Sequence, residues 1–168
     1  HDALPILPGC RIEVLVPDFH GNKTALENVI AANPDVINHN MEVAETLFGQ
    51  LRPGGDYHFS LQLLSCVAST QIISKSGFMV GFGEKKEDIL RLMDDLAAVS
   101  CARLTIGQYQ QPTLKHWPVA KYYHPDEFAE LKTIAYAKGF RYVESGPLVR
   151  SSYHAAKAET ITVTEIIP

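Results

Sequence analysis

Ile72-Ile73-Ser74-Lys75-Ser76-Gly77-Phe78-Met79-Val80-Gly81-Phe82-Gly83-Glu84, then the run 86–98, then Leu104-Thr105-Ile106, is the stretch that decides the fold. Ile72-Ile73 opens a strand that leads into a glycine-rich segment. Over 86–98, Ile89, Leu90, Met93, Leu96 and Ala97 share one face at helical spacing, which predicts an amphipathic helix. Leu104-Thr105-Ile106 is short and rich in β-branched residues, so it reads as a second strand. A strand, a helix and a strand in this order form a βαβ unit, whose two strands run parallel.

The same alternation extends in both directions. Arg11-Ile12-Glu13-Val14-Leu15-Val16 reads as a strand that stops at Pro17. A helix follows from Asn22, a plausible cap, with Leu26, Val29 and Ile30 on one face, and it ends before Pro34. Val36-Ile37 is a short buried strand. Residues 42–48 and 57–67 read as helices separated by the turn Arg52-Pro53-Gly54-Gly55-Asp56. Downstream, a long polar loop leads to Pro125 at a first helical position, a helix to Lys138, and Gly139 as its stop. Tyr142-Val143 is the last strand. Five short, mostly apolar strands separated by helices predict an α/β fold with a parallel sheet. Without a linker or composition break, residues 1–168 read as a single domain with a tail from about 146. Both a doubly wound sheet and part of a (β/α) barrel fit; a complete eight-unit barrel needs roughly 200 residues, so five units make a partial one.

Composition excludes several classes. The 168 residues are 46% hydrophobic and 20% charged, enough for a core, and the net charge of -4 argues against a nucleic-acid binder. No apolar run approaches the roughly 18–20 residues that cross a bilayer. The start, His1-Asp2-Ala3-Leu4-Pro5, lacks the pattern of a signal peptide, and a first residue other than Met predicts that the natural N-terminus lies elsewhere. Cys10, Cys66 and Cys101 are scattered and form no CxxC pair, so free thiols in a reducing compartment are expected.

In both architectures polar chemistry belongs beyond the carboxyl ends of the strands. Pro17-Asp18-Phe19-His20, Asn38-His39-Asn40-Met41-Glu42, Ser74-Lys75-Ser76-Gly77, Gly107-Gln108-Tyr109-Gln110-Gln111 and residues 145–153 all fall there. Each also has a plain reading: Asp18 as a turn cap, Lys75 as a solvated side chain, Ser151-Ser152 as a turn bonded to its own backbone. His39 and Glu42 alone make a poor metal site, having no third partner. Asn40 and Glu42 fit hydrogen bonding to a polar ligand better. Gln108 and Tyr109 suit substrate positioning rather than proton transfer. The glycine-rich segment is neither a Walker loop nor a dinucleotide fingerprint.

Gly146-Pro147-Leu148-Val149-Arg150-Ser151-Ser152-Tyr153-His154-Ala155 looks like no packing element. With 12–19, 35–42, 75–84 and 104–112, it closely resembles the C-terminal part of lipoyl synthase, a radical S-adenosylmethionine family. The resemblance implies the later βα units of a partial (β/α) barrel of that type, plus the tail. It implies an enzyme that inserts two sulfur atoms into a protein-bound octanoyl group. Two 4Fe–4S clusters and S-adenosylmethionine are implied as cofactors, one cluster generating the radical and an auxiliary one supplying sulfur. The partners implied are octanoylated lipoyl-carrier domains or the glycine-cleavage H protein, with neither nucleic acid nor membrane. Asn40, Glu42, Lys75 and Ser76 would contact S-adenosylmethionine, and Ser152 would bind an iron of the auxiliary cluster. Gln108, Tyr109, Arg150 and Tyr153 would support substrate or cluster.

The cysteine motifs that hold both clusters in that family are missing, so the chain is expected to be a truncation, inactive and marginally stable alone. A degenerate paralogue that binds S-adenosylmethionine or a nucleotide, or a carrier-protein interaction domain, are the alternatives. The setting would be a bacterial cytoplasm, or a mitochondrion or plastid.

Overall fold

A computed structural model describes residues 10–152 of the chain. The elements alternate: β1 (Glu13–Leu15), α1 (Lys23–Ala31), β2 (Val36–Asn38), α2 (Glu45–Leu51), α3 (Tyr57–Ala68), β3 (Ile73–Val80), α4 (Lys86–Ala98), β4 (Arg103–Gln108), α5 (Pro125–Ala137) and β5 (Tyr142–Gly146). The strands form one sheet in the order β1-β2-β3-β4-β5, with every pairing parallel. That order separates the two candidate architectures. A doubly wound sheet reverses its strand order at a switch point, whereas this sheet advances one strand at a time, as a barrel does. Right-handed crossovers that always step the same way put the helices on one face.

Local chemistry sets the helix starts. The Asn22 side chain accepts from the Ala25 amide and Asp56 from the Phe59 amide, at the heads of α1 and α3. Pro125 opens α5 behind a capping box in which the His124 amide donates to Glu127. Gly139, at φ 98°, ends it.

The strand register assigns the two faces. Ile37, Phe78, Val80, Leu104, Ile106 and Val143 point towards the helices and are buried. Around β3–β5 they pack with Ile89, Leu92, Met93 and Leu96 of α4 and Phe128, Leu131 and Ala135 of α5. Around β1 and β2 a smaller cluster joins Val16 and Ile37 to Leu26, Leu63 and Val67. The opposite face carries Glu13, Leu15, Asn38, Lys75, Gly77, Thr105 and Gly107, placed in register with one another.

Two boundaries differ from the sequence expectation. β3 continues through Val80, so Lys75-Ser76-Gly77 lies within a strand and not at its end. Gly77 weakens the strand signal yet pairs normally with Thr105, and its missing side chain leaves room for its neighbours. The helix expected over 42–48 starts at Glu45, because Glu42 adopts φ 69° and bridges to Phe78 as a last rung of the sheet.

Candidate functional site

The segment after β5 turns back over the open face of the sheet. Val149 is buried, and its amide donates to the Gly146 carbonyl at 3.1 Å. Its carbonyl oxygen lies where a Cβ on Gly107 would meet it at 2.6 Å, so only glycine admits the tail at this point of β4. Further on, the Ser151 carbonyl accepts from Lys75 Nζ at 2.5 Å. The same ammonium lies 2.7 and 3.0 Å from the two Glu13 oxygens, and Asn38 Nδ2 donates to Glu13 at 3.4 Å. Strand β1, strand β3 and the tail are thus joined at a lysine that is 4% exposed.

Between the tail and the strand ends lies a cleft of about 310 Å³, lined by Leu15, Asn40, Glu42, Gly77, Thr105 and Gly107 together with residues 149–151. The Asn40 carbonyl accepts from Arg52 Nη1 at 2.8 Å, which fixes the backbone at the rim. Asn40 Oδ1 is buried and has no hydrogen-bond partner. A buried acceptor left unpaired costs about 1–3 kcal/mol, which a donor on a ligand would recover. A Cβ on Gly77 would come within 2.3 Å of Thr105 Oγ1 and 3.1 Å of Asn40 Oδ1, so glycine keeps this wall flat. Behind the rim, His39 places Nδ1 2.9 Å from the Val16 carbonyl. Burial, with Arg52 nearby, holds its imidazole below the ordinary value despite that bond and the Asp18 carboxylate.

No family model matches the chain. Individual relatives do. A lipoyl synthase from Bacteroides thetaiotaomicron is 52% identical over 150 residues, which cover 89% of this chain and 53% of that protein. One from Caldanaerobacter subterraneus is 50% identical over 151 residues, covering 89% and 53%. One from Roseiflexus is 50% identical over 150 residues, covering 88% and 50%. The chain belongs to the lipoyl synthase family. It spans about half the length of the curated relatives it matches. Its parallel α/β sheet, wound in sequential order, is that of a partial barrel of the radical S-adenosylmethionine type.

The residues singled out in the sequence fall in different places on this sheet. Asn40, Glu42 and Arg150 meet at the cleft, and Ser152 follows Ser151 in an exposed turn at its edge. Lys75 lies on the open face, but its three N–H donors face Glu13 and the Ser151 carbonyl, leaving none for a cofactor. Ser76 alternates to the helix-covered face beside Leu104, so the sheet separates it from the cleft. Gln108 and Tyr109 bond within the loop over 109–124 and hold it. Gln108 Nε2 donates to the carbonyls of Tyr109 and Lys121 at 3.0 Å each, and its oxygen accepts from the Tyr123 amide at 3.0 Å. Tyr109 stacks on Phe82 at 4.0 Å and donates to the Trp117 carbonyl, while the Trp117 indole donates to the Phe82 carbonyl at 2.9 Å. Asp18 caps a turn, its oxygens accepting from the His20 and Asp56 amides. Tyr153 lies outside the described residues.

Glu13, Arg52 and Thr105 are site residues that the sequence reading passed over. Glu13 is a charge inside an apolar strand, and that irregularity is its signal. Arg52 is hidden in a turn motif, and Thr105 in a run that reads as strand.

Proposed function

We propose that the chain forms the later βα units and tail of a lipoyl synthase, an enzyme inserting two sulfur atoms into an octanoyl group on a lysine of a lipoyl domain or of the glycine-cleavage H protein. The observation that carries the reading is the meeting of Asn40 and Glu42 with the Val149-Arg150-Ser151 tail at one cleft. The identity of about half the aligned residues with lipoyl synthases supports it. The bacterial origin of those relatives supports a cytoplasmic setting.

The cleft suits S-adenosylmethionine: Asn40 Oδ1 offers an unpaired acceptor, Glu42 a carboxylate, and Gly77 and Gly107 let a ligand or the tail approach the backbone. A 4Fe–4S cluster does not fit the described residues alone. No three His, Cys, Asp or Glu side chains among them converge, Cys10 and Cys66 are exposed, and Cys101 is buried with its thiol pushed up to about 12 by burial. What this chain offers a cluster is one oxygen arm, Ser152. When bound, the cofactors supply the radical chemistry and the sulfur that side chains do not. The chain's own residues bind the amino-acid and ribose ends of the ligand at Asn40 and Glu42, and the folded-back tail keeps water from the cleft.

In the complete protein, Asn40→Ala should weaken S-adenosylmethionine binding about tenfold, the worth of one polar contact. Ser152→Ala should cut lipoyl product relative to 5′-deoxyadenosine released, while Ser151→Ala, which keeps its carbonyl, should not. Unchanged affinity by calorimetry in Asn40→Ala, or a wild-type product ratio in Ser152→Ala, would remove the corresponding assignment.

A further inference from the structure

The loop over 109–124 is tied firmly to itself and to the sheet, yet it holds large apolar side chains out in water. Besides the bonds of Gln108 and Tyr109, the His116 amide donates to the Thr113 carbonyl at 3.0 Å, closing a turn with Leu114 and Lys115 at its tip. Gln111 Nε2 donates to the His116 carbonyl at 2.8 Å, and Thr113 Oγ1 lies 2.9 Å from His116 Nδ1. The Ala120 amide donates to the Gly81 carbonyl at 2.8 Å, which fastens the returning half beyond the end of β3. On this frame Leu114 is 96% exposed, Tyr122 73% and Trp117 37%. Single apolar groups on a surface are ordinary, but three on one hydrogen-bonded loop have the character of an interaction surface. Charge gives that surface a sign. The loop holds two of the chain's 15 Lys and Arg residues, Lys115 and Lys121, and none of its 19 Asp and Glu. Lys121 meets Glu127 of α5 at 2.6 Å, whereas Lys115 stands at the exposed tip.

The loop also stands beside the cleft. It leaves β4 just after Gly107 and Gln108, and its returning half is fastened two residues past Met79; Gly107 and Met79 both line the cleft. We propose that this loop is a docking surface for an acidic face of the carrier protein whose lysine the cleft receives. This rests on the reading of the chain as part of an enzyme that acts on a protein-bound acyl group. Tyr and Trp are the side chains that most often carry binding energy at such contacts. A surface already held in shape loses little freedom when it binds. The cation at the tip favours a partner with carboxylates and sets the direction of its approach.

The test uses the complete protein, metal-free, and calorimetry with an octanoylated lipoyl domain and an octanoylated H protein. A short peptide with one octanoyl-lysine is the control, since it can enter the cleft but has no face to set against the loop. Leu114→Ser combined with Lys115→Glu should raise the Kd of the tighter carrier on the order of tenfold and leave that of the peptide unchanged. Added salt should weaken the wild-type complex more than that of the variant. An unchanged carrier Kd, or an equal loss for carrier and peptide, would overturn the docking role. So would a variant that loses binding to vesicles of anionic phospholipid and keeps its carrier affinity. If neither carrier nor peptide binds the wild type, the acyl-substrate reading falls and takes this inference with it. Should the double variant not fold, Tyr122→Ser decides by the same comparison.

Discussion

On the helix-covered face, Ile37, Val80, Leu104, Ile106 and Val143 are fully withdrawn from water; on the open face, β1 to β4 carry Glu13, Asn38, Lys75, Gly77 and Thr105. The first set packs without polar contacts. The second is also largely buried, yet against a folded-back tail and through charged and hydrogen-bonded contacts. Because side chains alternate along a strand, one segment serves as core and as site at once. The difference teaches that a site on this sheet is written inside the strands as well as in the loops that follow them.

That contrast can be broken most sharply on the apolar side. Leu104→Ala should cost about 2–5 kcal/mol, since Leu104 is fully buried within the larger apolar cluster. Urea unfolding of the complete protein measures it, and a loss below 1 kcal/mol would show that the helix-covered face is not the main core. On the open side, Gly77→Ala should cost about 1–3 kcal/mol through its contact with Thr105, and should weaken S-adenosylmethionine binding. Gly49→Ala is the matched control, because a Cβ there meets nothing within 4 Å and α2 should gain about 0.5–1 kcal/mol. Equal effects at the two glycines would erase the distinction between a shaped wall and a plain helix surface.

The smallest expected effect is a pH slope set by His39. Its folded pKa is depressed, by burial above all, so the unfolded chain takes up a proton first as pH falls. The associated stability is complete above the ordinary value near 6.5 and is lost as pH drops from there towards the folded pKa, by at most about 1.4 kcal/mol per pH unit. Melting curves between pH 7 and pH 5, compared with His39→Gln, report it. An unchanged slope in the variant would mean that His39 does not titrate as its burial requires.

Much of the architecture was legible because its signals are local. The apolar stripe of α4, Pro125 and Gly139 around α5, and Asn22 at the head of α1 each mark an element directly. The sequential strand order was not legible, since pairing between strands leaves no mark at short range, and two architectures remained open. Among the site residues, Asn40 and Glu42 could be found as polar groups beyond a buried strand. Gln108 and Lys75 show the limit of that logic. A polar side chain near a strand end can be spent on a loop backbone or on an ion pair, and only the position of its partners decides between structure and ligand. Glu13 and Ser151, the two that occupy Lys75, lie 62 and 76 residues away in the chain.

The loop over 109–124 also gives the molecule a built-in reporter. Trp117 is the sole tryptophan of these 168 residues, and its indole hydrogen bond to the Phe82 carbonyl sits where the loop meets the sheet. Its fluorescence in this chain therefore follows the seating of that loop and not the melting of the apolar core. A shift in emission that precedes the loss of far-ultraviolet circular dichroism on heating would be the loop lifting from an intact sheet.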